Sequence, residues 1–173
     1  TTDPDVKITS LVRTRTDNFL LQGEAVSVDI SRGLPDKPED FKEFDIIILG
    51  DIAASAFREY QLKYLREWVE GGGGLMMLGG YNCFNPGGWR DTPIAQVLPV
   101  MMSAEDPQIA MPLLVEVTAA GRTHPIMKGI TEFESDAIQK GKGALGGCTG
   151  TAGPRSGAQV LAYGKDSRGK SYI

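Results

Sequence analysis

The sequence predicts an α/β fold with a mainly parallel sheet, because two apolar runs are joined by one amphipathic segment. The first run is FDIIILGD at 44–51, and the second is LMML at 75–78. Both runs are continuously apolar, which is typical of parallel strands covered on both faces. Between them, apolar residues recur at helical spacing: Phe57, Leu62, Leu65, Trp68 and Val69. Strand, helix and strand with short connections indicate a right-handed βαβ unit.

The helix of this unit is predicted over 56–70, with Ser55 as its N-cap and the glycines from Gly71 ending it. We expect the two strands to be neighbours at the centre of the sheet and to be almost fully buried. In an open parallel sheet, the functional site lies at the carboxyl ends of the strands. Here that position corresponds to the turns after Leu49 and Leu78.

The remainder of the chain carries shorter signals. Strands are predicted at 6–13, 113–118, 158–164 and 170–173, and residues 25–30 are predicted as a short strand or an extended loop. Short helices or turns are predicted at 36–44, 92–100 and 124–130, and the glycine-rich residues 140–157 are predicted as a loop. The sequence contains no internal repeat and no dividing linker, so residues 1–173 are predicted to form a single domain.

Composition excludes several classes of function. The chain has 173 residues, a net charge of -4 and an isoelectric point of about 5.1. It therefore lacks the basic charge that is typical of nucleic-acid-binding domains. Two cysteines and one histidine make neither a disulfide framework nor a metal-binding spacing, so no metal or cofactor is expected. No apolar run approaches the roughly 20 residues that span a bilayer. We therefore expect a cytoplasmic protein without a membrane or nucleic-acid partner, although the start without Met leaves an upstream signal or anchor open.

Four segments together resemble the class I glutamine amidotransferase-like superfamily: FDIIILGDI, LREWVEGGGGLMMLGGYNCF, GGWRDTPIAQVLPV and HPIMKGI. More narrowly, they resemble its uncharacterised amidotransferase-like branch and the neighbouring trehalose-utilisation-type proteins. The resemblance covers roughly residues 6–173 and implies a flavodoxin-like three-layer α/β/α sandwich. Relative to that family, we expect the sequence to lack a first strand and helix and a last strand. The strand at 6–13 is then expected to lie beside an empty or externally filled strand position.

The resemblance also identifies the position of the family's nucleophile. Active members place a cysteine in a tight G-x-C-x-G turn directly after a buried strand. In this sequence Gly79 occupies that position, and Cys83 follows four residues later, which is about 13 Å of extended chain. Cys83 is therefore expected to be a partly buried loop residue. A displaced reactive thiol at the rim of the site is the alternative.

Two further glycine-rich motifs lack the context that their chemistry requires. GGCTG at 146–150 matches the cysteine turn literally, but no apolar strand precedes Cys148 and no amphipathic helix follows it. GKGALG at 141–146 matches a dinucleotide-binding pattern, again without the strand and helix that such a site needs. Both motifs are predicted to lie in loops.

His124 is the only imidazole that a cysteine nucleophile could use. Active family members carry an H-x-E pattern, whereas HPI has no acid two residues after His124. We expect His124 to cap the following turn and to lie too far from Cys83 to share a proton. Because YNCFN contains no lysine, arginine or histidine, the thiol should stay protonated at neutral pH.

Candidate ligand-binding residues cluster at the predicted strand ends: Asp51, Gly79, Gly80, Tyr81, Asn82 and Trp89. Each has a structural alternative, such as capping a turn or packing on the sheet edge. The sequence thus favours an amidotransferase-like domain without a standard Cys-His-Glu triad. Such a domain would bind a small polar molecule or serve as an interaction domain, and self-association is left open. The alternative is an active cysteine-dependent amidotransferase or hydrolase that uses Cys83 and His124 in a variant geometry.

Overall fold

The computed structural model describes residues 3–16, 18–105, 108–129 and 144–173. In chain order its strands are β1 (Thr9–Arg15), β2 (Asn18–Gly23), β3 (Ile46–Leu49), β4 (Gly74–Met77), β5 (Val100–Met101), β6 (Gln108–Ile109), β7 (Leu113–Val117), β8 (Ala144–Leu145), β9 (Cys148–Thr149), β10 (Gly153–Pro154), β11 (Ala162–Lys165) and β12 (Ser171–Tyr172). The α-helices are α1 (Glu59–Glu70) and α2 (Ala119–Thr123). Short 3-10 helices span Pro38–Glu43, Ala54–Ala56, Pro93–Gln96 and Pro125–Met127. These short helices confirm the turns or helices predicted near 36–44, 92–100 and 124–130.

The predicted strand–helix–strand unit is present as β3–α1–β4. Strands β3 and β4 pair in parallel, from Ile46 opposite Gly74 to Leu49 opposite Met77. Helix α1 ends at the predicted glycines, where Gly72 adopts a φ of 108° that favours glycine. The prediction of a parallel pair joined by one helix is therefore confirmed.

The start of α1 differs from the prediction. The helix begins at Glu59, and its N-cap is Arg58 instead of Ser55, which lies in the preceding 3-10 turn. The Arg58 N–H donates to Gln61 Oε1 at 2.9 Å. The acceptor therefore comes from a buried side chain inside the first turn. A sequence search for Ser, Thr, Asp or Asn before the helix could not find it.

The main core lies on one side of the β3–β4 pair. Helix α1 contributes Leu62 and Leu65 to this core, and Leu49 reaches it from β3. The remaining buried members of the cluster come from loops and 3-10 turns: Leu34, Phe41, Ala54, Trp89, Ile94 and Leu98. One helix and the loops around it therefore cover one face of the two strands.

The opposite face of the same two strands is open. Ile46 and Ile48 of β3 are 64% and 59% exposed, and Met76 of β4 is 48% exposed. The expectation that both strands are almost fully buried is wrong for the described residues. Alternate residues of a strand point to opposite faces, and a continuous apolar run does not reveal whether both faces have a covering layer.

The prediction of a mainly parallel sheet is also corrected. Within the described residues, β3–β4 is the single parallel pair, and the other six strand pairs are antiparallel. The largest sheet has the order β12-β11-β7-β8, and β5–β10 and β6–β9 form two-stranded ribbons. Three of these short strands, β8, β9 and β10, fall in a segment predicted as loop. Strands of two residues carry too short a pattern to be read from sequence.

The N-terminal strand also lies in an antiparallel arrangement. Strand β1 pairs with β2 in a hairpin, and residues 25–30 form no strand. Phe19 of β2 stacks on Phe57 with ring centroids 6.3 Å apart, which attaches the hairpin near the N-terminal side of α1. No helix in the described ranges is long and apolar enough to cross a membrane.

Candidate functional site

The loops that follow β3 and β4 form the candidate site, and we call residues 50–54 and 78–89 the strand-end turns. Because β3 and β4 are parallel, their carboxyl ends lie at the same edge of the pair. Four hydrogen bonds join the two turns: Asn82 N to Asp51 Oδ1 (2.6 Å), Cys83 Sγ to Gly50 O (2.8 Å), Trp89 Nε1 to Ile52 O (2.9 Å) and Ala54 N to Gly87 O (2.9 Å). These four bonds hold the two turns against each other.

The second turn is tightly wound. Phe84 adopts a φ of 52°, the single positive φ of a non-glycine residue in the described chain. A Cβ atom at Gly87 would overlap the carbonyl of Asn82, so that position requires glycine. Such strain persists only where surrounding contacts determine the conformation, and the hydrogen bonds between the turns supply those contacts.

Cys83 is buried beneath this turn. Its side chain is 0% exposed, and its Sγ donates to the Gly50 carbonyl at 2.8 Å. Burial raises the pKa of the Cys83 thiol, the Asp51 carboxylate raises it further, and a backbone hydrogen bond at Ile52 offsets part of the rise. These contacts agree with the expectation that the thiol stays protonated and holds a structural position.

His124 lies in a separate turn, as its spacing predicted. Its Nδ1 accepts a hydrogen bond from the Ile126 N–H at 3.2 Å and caps the 3-10 helix Pro125–Met127. Within the described residues, no hydrogen bond joins His124 to Cys83. In the described structure the two candidate catalytic residues therefore form no hydrogen-bonded pair, and each has a different partner.

Gly79 and Gly80 differ in the space around them. A Cβ atom at Gly80 would lie 2.6 Å from Asp51 Oδ1, so the Asp51 side chain would have to move to admit any other residue there. A Cβ atom at Gly79 would have Thr149 Oγ1, at 3.8 Å, as its neighbour. The position that matches the family's nucleophile is thus open to a side chain, and this chain places glycine there.

Thr149 and Gln108 belong to the site and were missed by sequence reasoning. The Gly80 N–H donates to Thr149 Oγ1 at 3.3 Å, and that hydroxyl lies 3.1 Å from both Gly80 O and Gln108 Oε1. A hydroxyl has one proton, so it donates to one of these oxygens at a time. Pairing of β6 with β9 brings the two residues together, and the GGCTG motif was the available signal.

Cys148 precedes Thr149 in β9 and is half-buried opposite Ile109. Burial raises the pKa of the Cys148 thiol. The motif therefore contributes the Thr149 hydroxyl to the site and places Cys148 in a strand, where the sequence predicted a loop. The other motif, at 141–146, lies partly outside the described residues.

The remaining candidates divide into exposed and buried residues. Tyr81 is 71% exposed, and Asp51 and Asn82 are exposed beside it in the turns. Trp89 is 0% exposed, and its ring lies 6.0 Å from that of Phe57 in the core. The structure therefore corrects the expectation that Trp89 contacts a ligand: it supports the turn from beneath.

One cavity of about 290 Å³ lies beside the site and does not include its candidate residues. It is lined by Ile109 and by residues 150–153 and 170–173. In the part of the chain that the structure describes, no group of three or more His, Cys, Asp or Glu side chains could hold a metal ion.

Comparisons with known proteins agree with this architecture. A family model described as "Putative glutamine amidotransferase" matches residues 23–162. A solved structure of a cytoplasmic protein from Salmonella typhimurium is similar in fold, with a TM-score of 0.62 and 20% sequence identity, over 91% of this chain and 74% of that chain. A search of curated proteins returned no match. The chain has an α/β fold and belongs to the glutamine amidotransferase-like family whose model it matches.

Proposed function

We propose that this chain is a class I glutamine amidotransferase-like domain that binds a small polar ligand at the strand-end turns. In this proposal, Cys83 and His124 do not perform glutaminase chemistry. The observation that supports this lack of catalysis is the environment of the Cys83 thiol. The thiol is buried and donates a hydrogen bond to Gly50 O at 2.8 Å. A cysteine nucleophile needs a thiolate and an adjacent base.

A second observation concerns the oxyanion hole. In a nucleophile turn, the N–H of the residue after the nucleophile helps to stabilise the oxyanion. With Gly79 at the nucleophile position, that donor is the Gly80 N–H, which donates to Thr149 Oγ1 at 3.3 Å. The donor that would serve catalysis is therefore engaged inside the protein.

Exposed polar groups support the ligand-binding part of the proposal. Asp51, Tyr81 and Asn82 lie on turns that are joined by hydrogen bonds and need little ordering when a ligand binds. A Cβ atom at Gly79 would make only an ordinary contact with Thr149 Oγ1, at 3.8 Å, so the backbone there is not crowded. A few polar groups in fixed positions are what orients a small ligand with hydrogen-bonding groups.

The layer arrangement and the extent of the domain are part of the same proposal. From the family match we infer a flavodoxin-like three-layer arrangement around the β3–α1–β4 unit, within a single domain over residues 1–173. Among the described residues, a covering layer is seen on the α1 face of β3–β4. The name of the Salmonella protein supports a cytoplasmic location.

A glutaminase assay with matched cysteine variants tests the proposal. Ammonia release from glutamine would be measured for the wild-type chain, Cys83→Ala and the control Cys148→Ala. We expect none of the three to exceed the buffer background. Activity that disappears in Cys83→Ala and persists in Cys148→Ala would instead establish an active cysteine enzyme.

Thiol alkylation provides an independent measurement. In the Cys148→Ala background, Cys83 should react with iodoacetamide more slowly than a free thiol, at a rate that rises with pH, because burial raises its pKa and restricts access. Unfolding in urea should restore the rate of an ordinary thiol. Rapid alkylation that stays constant down to about pH 6 would reveal a stabilised thiolate and contradict the proposal.

A further inference from the structure

Resting on the proposed function, we propose that the strand-end site selects by charge. It takes uncharged or cationic ligands that present hydrogen-bond donors, such as hydroxyl or ammonium groups, and it disfavours carboxylates and phosphates. Three side chains carry this inference: Asp51, Tyr81 and Asn82.

The Asp51 carboxylate provides the acceptor. Its Oδ1 accepts the Asn82 N–H at 2.6 Å, whereas Oδ2 has no hydrogen-bond partner among the described residues. No ion pair within the described chain neutralises Asp51. The residue is exposed, so Oδ2 is accessible to a ligand. A carboxylate accepts only from donors and repels a second anion.

The neighbouring side chains favour the same class of ligand. The Tyr81 ring is 71% exposed, and an aromatic face attracts a cation or packs against the C–H groups of a neutral ring. The Asn82 side-chain amide has no partner in the described part of the chain and can donate or accept. The three groups together offer an anionic acceptor, an apolar face and an amide.

Three backbone donors of the second turn are already engaged. An oxyanion is held by N–H groups or cations. In the second turn, the Gly80 N–H donates to Thr149 Oγ1, the Asn82 N–H to Asp51 Oδ1 and the Cys83 N–H to Gly80 O. At these three N–H groups a phosphate or carboxylate would have to replace an existing contact, and the adjacent Asp51 carboxylate would repel it.

Three sugars of different charge test the inference: glucosamine (cationic), glucose (neutral) and glucose 6-phosphate (anionic). The readout is the fluorescence of Trp89, whose Nε1 donates to Asn82 O at 3.3 Å and to Ile52 O at 2.9 Å beneath the site. Trp68→Phe removes the second tryptophan, so the signal reports on Trp89. Amide chemical shifts of residues 79–82 provide a second measurement of the same titrations.

We expect glucosamine to bind most tightly, glucose about 5-fold more weakly, and glucose 6-phosphate weakest. Asp51→Asn keeps an oxygen that can accept the Asn82 N–H and removes the negative charge. The dissociation constants of the three probes should then differ by only about 2-fold. Tyr81→Ala, at an exposed position, should weaken all three probes. Salt at about 1 M should reduce the preference of the wild-type chain for glucosamine.

Tightest binding of glucose 6-phosphate, or no perturbation of residues 79–82 by any probe up to roughly 50 mM, would overturn the inference. The first result would reject the charge preference and leave ligand binding at the turns intact, whereas the second would count against ligand binding there as well. The glutaminase assay decides the catalytic part of the proposed function separately. Cys83-dependent ammonia release would reject the proposed function, whereas charge preference at Asp51 concerns only the class of ligand.

Discussion

The two faces of the β3–β4 pair have nearly the same composition and opposite environments. Ile47, Leu49, Leu75 and Met77 face α1 and the core, and Leu49 is buried. Ile46, Ile48, Met76 and Leu78 point the other way and are exposed. Apolar side chains on both faces therefore do not establish that both faces are covered, because burial depends on which other elements reach each face.

The comparison also explains where the site's rigidity originates. On the covered side, the core extends past the strand ends through Trp89. Its ring contacts that of Phe57 in a tilted arrangement, and its Nε1 donates to the carbonyls of Ile52 and Asn82. The strand-end turns are therefore anchored from the covered face. The open face contributes no buried residue to that anchor.

The largest expected effect separates two neighbouring residues of β3. Leu49→Ala should lower the free energy of unfolding by about 2–4 kcal/mol, because it leaves a cavity in the core. Ile48→Ala should cost about 1 kcal/mol or less, since its side chain is mostly exposed. Urea unfolding of both variants measures the difference. If both variants lost the same free energy of unfolding, the open face would be covered in solution.

A second effect concerns the helix that covers one face. Gln61 is fully buried, and its Nε2 donates to Leu34 O at 2.7 Å and to Asp36 Oδ1 at 3.0 Å. Gln61→Leu should destabilise the protein by about 2–3 kcal/mol, because it leaves buried polar groups without partners. The exposed residue Gln96 provides the control.

Gln96→Leu should change the free energy of unfolding by less than about 0.5 kcal/mol, since Gln96 accepts one exposed hydrogen bond from Arg66. Denaturant unfolding of the two glutamine variants measures this contrast. If Gln61→Leu were as mild as the control, the docking of α1 would depend on apolar contacts alone.

The smallest effect is expected on the open face. Ile48→Thr and Met76→Thr preserve strand-compatible side chains and remove exposed apolar surface, so stability should change by about 1 kcal/mol or less. Binding of the dye ANS should fall in both variants if this surface is accessible. A large loss of stability, or unchanged dye binding, would show that these side chains are enclosed.

Much of the βαβ unit was predictable because local patterns determine it. The apolar run before Gly50, the helical spacing of Leu62 and Leu65 and the glycines from Gly71 are all found where the sequence placed them. The N-cap was mispredicted because its acceptor is the buried amide of Gln61. The two-residue strands were missed because they exist through pairing with distant segments.

The candidate site was only partly predictable for the same reason. Sequence register placed Cys83 beyond the nucleophile position and His124 at the start of a separate turn, and both predictions agree with the structure. Thr149 lies in the GGCTG motif, but that pattern does not indicate which residue Thr149 contacts. It reaches Gly80 because β9 pairs with β6, a contact between residues far apart in the chain.

By itself, the sequence determined the strand–helix–strand unit, the glycine at the family's nucleophile position and the family resemblance, since each depends on spacing within a short segment. Tertiary structure alone decided which face of β3–β4 is covered, that Cys83 donates to Gly50, and that Thr149 engages the Gly80 N–H. Those outcomes depend on how separate segments meet in space. Hydrophobic pattern and local spacing describe single segments, so they do not indicate which distant segments come into contact.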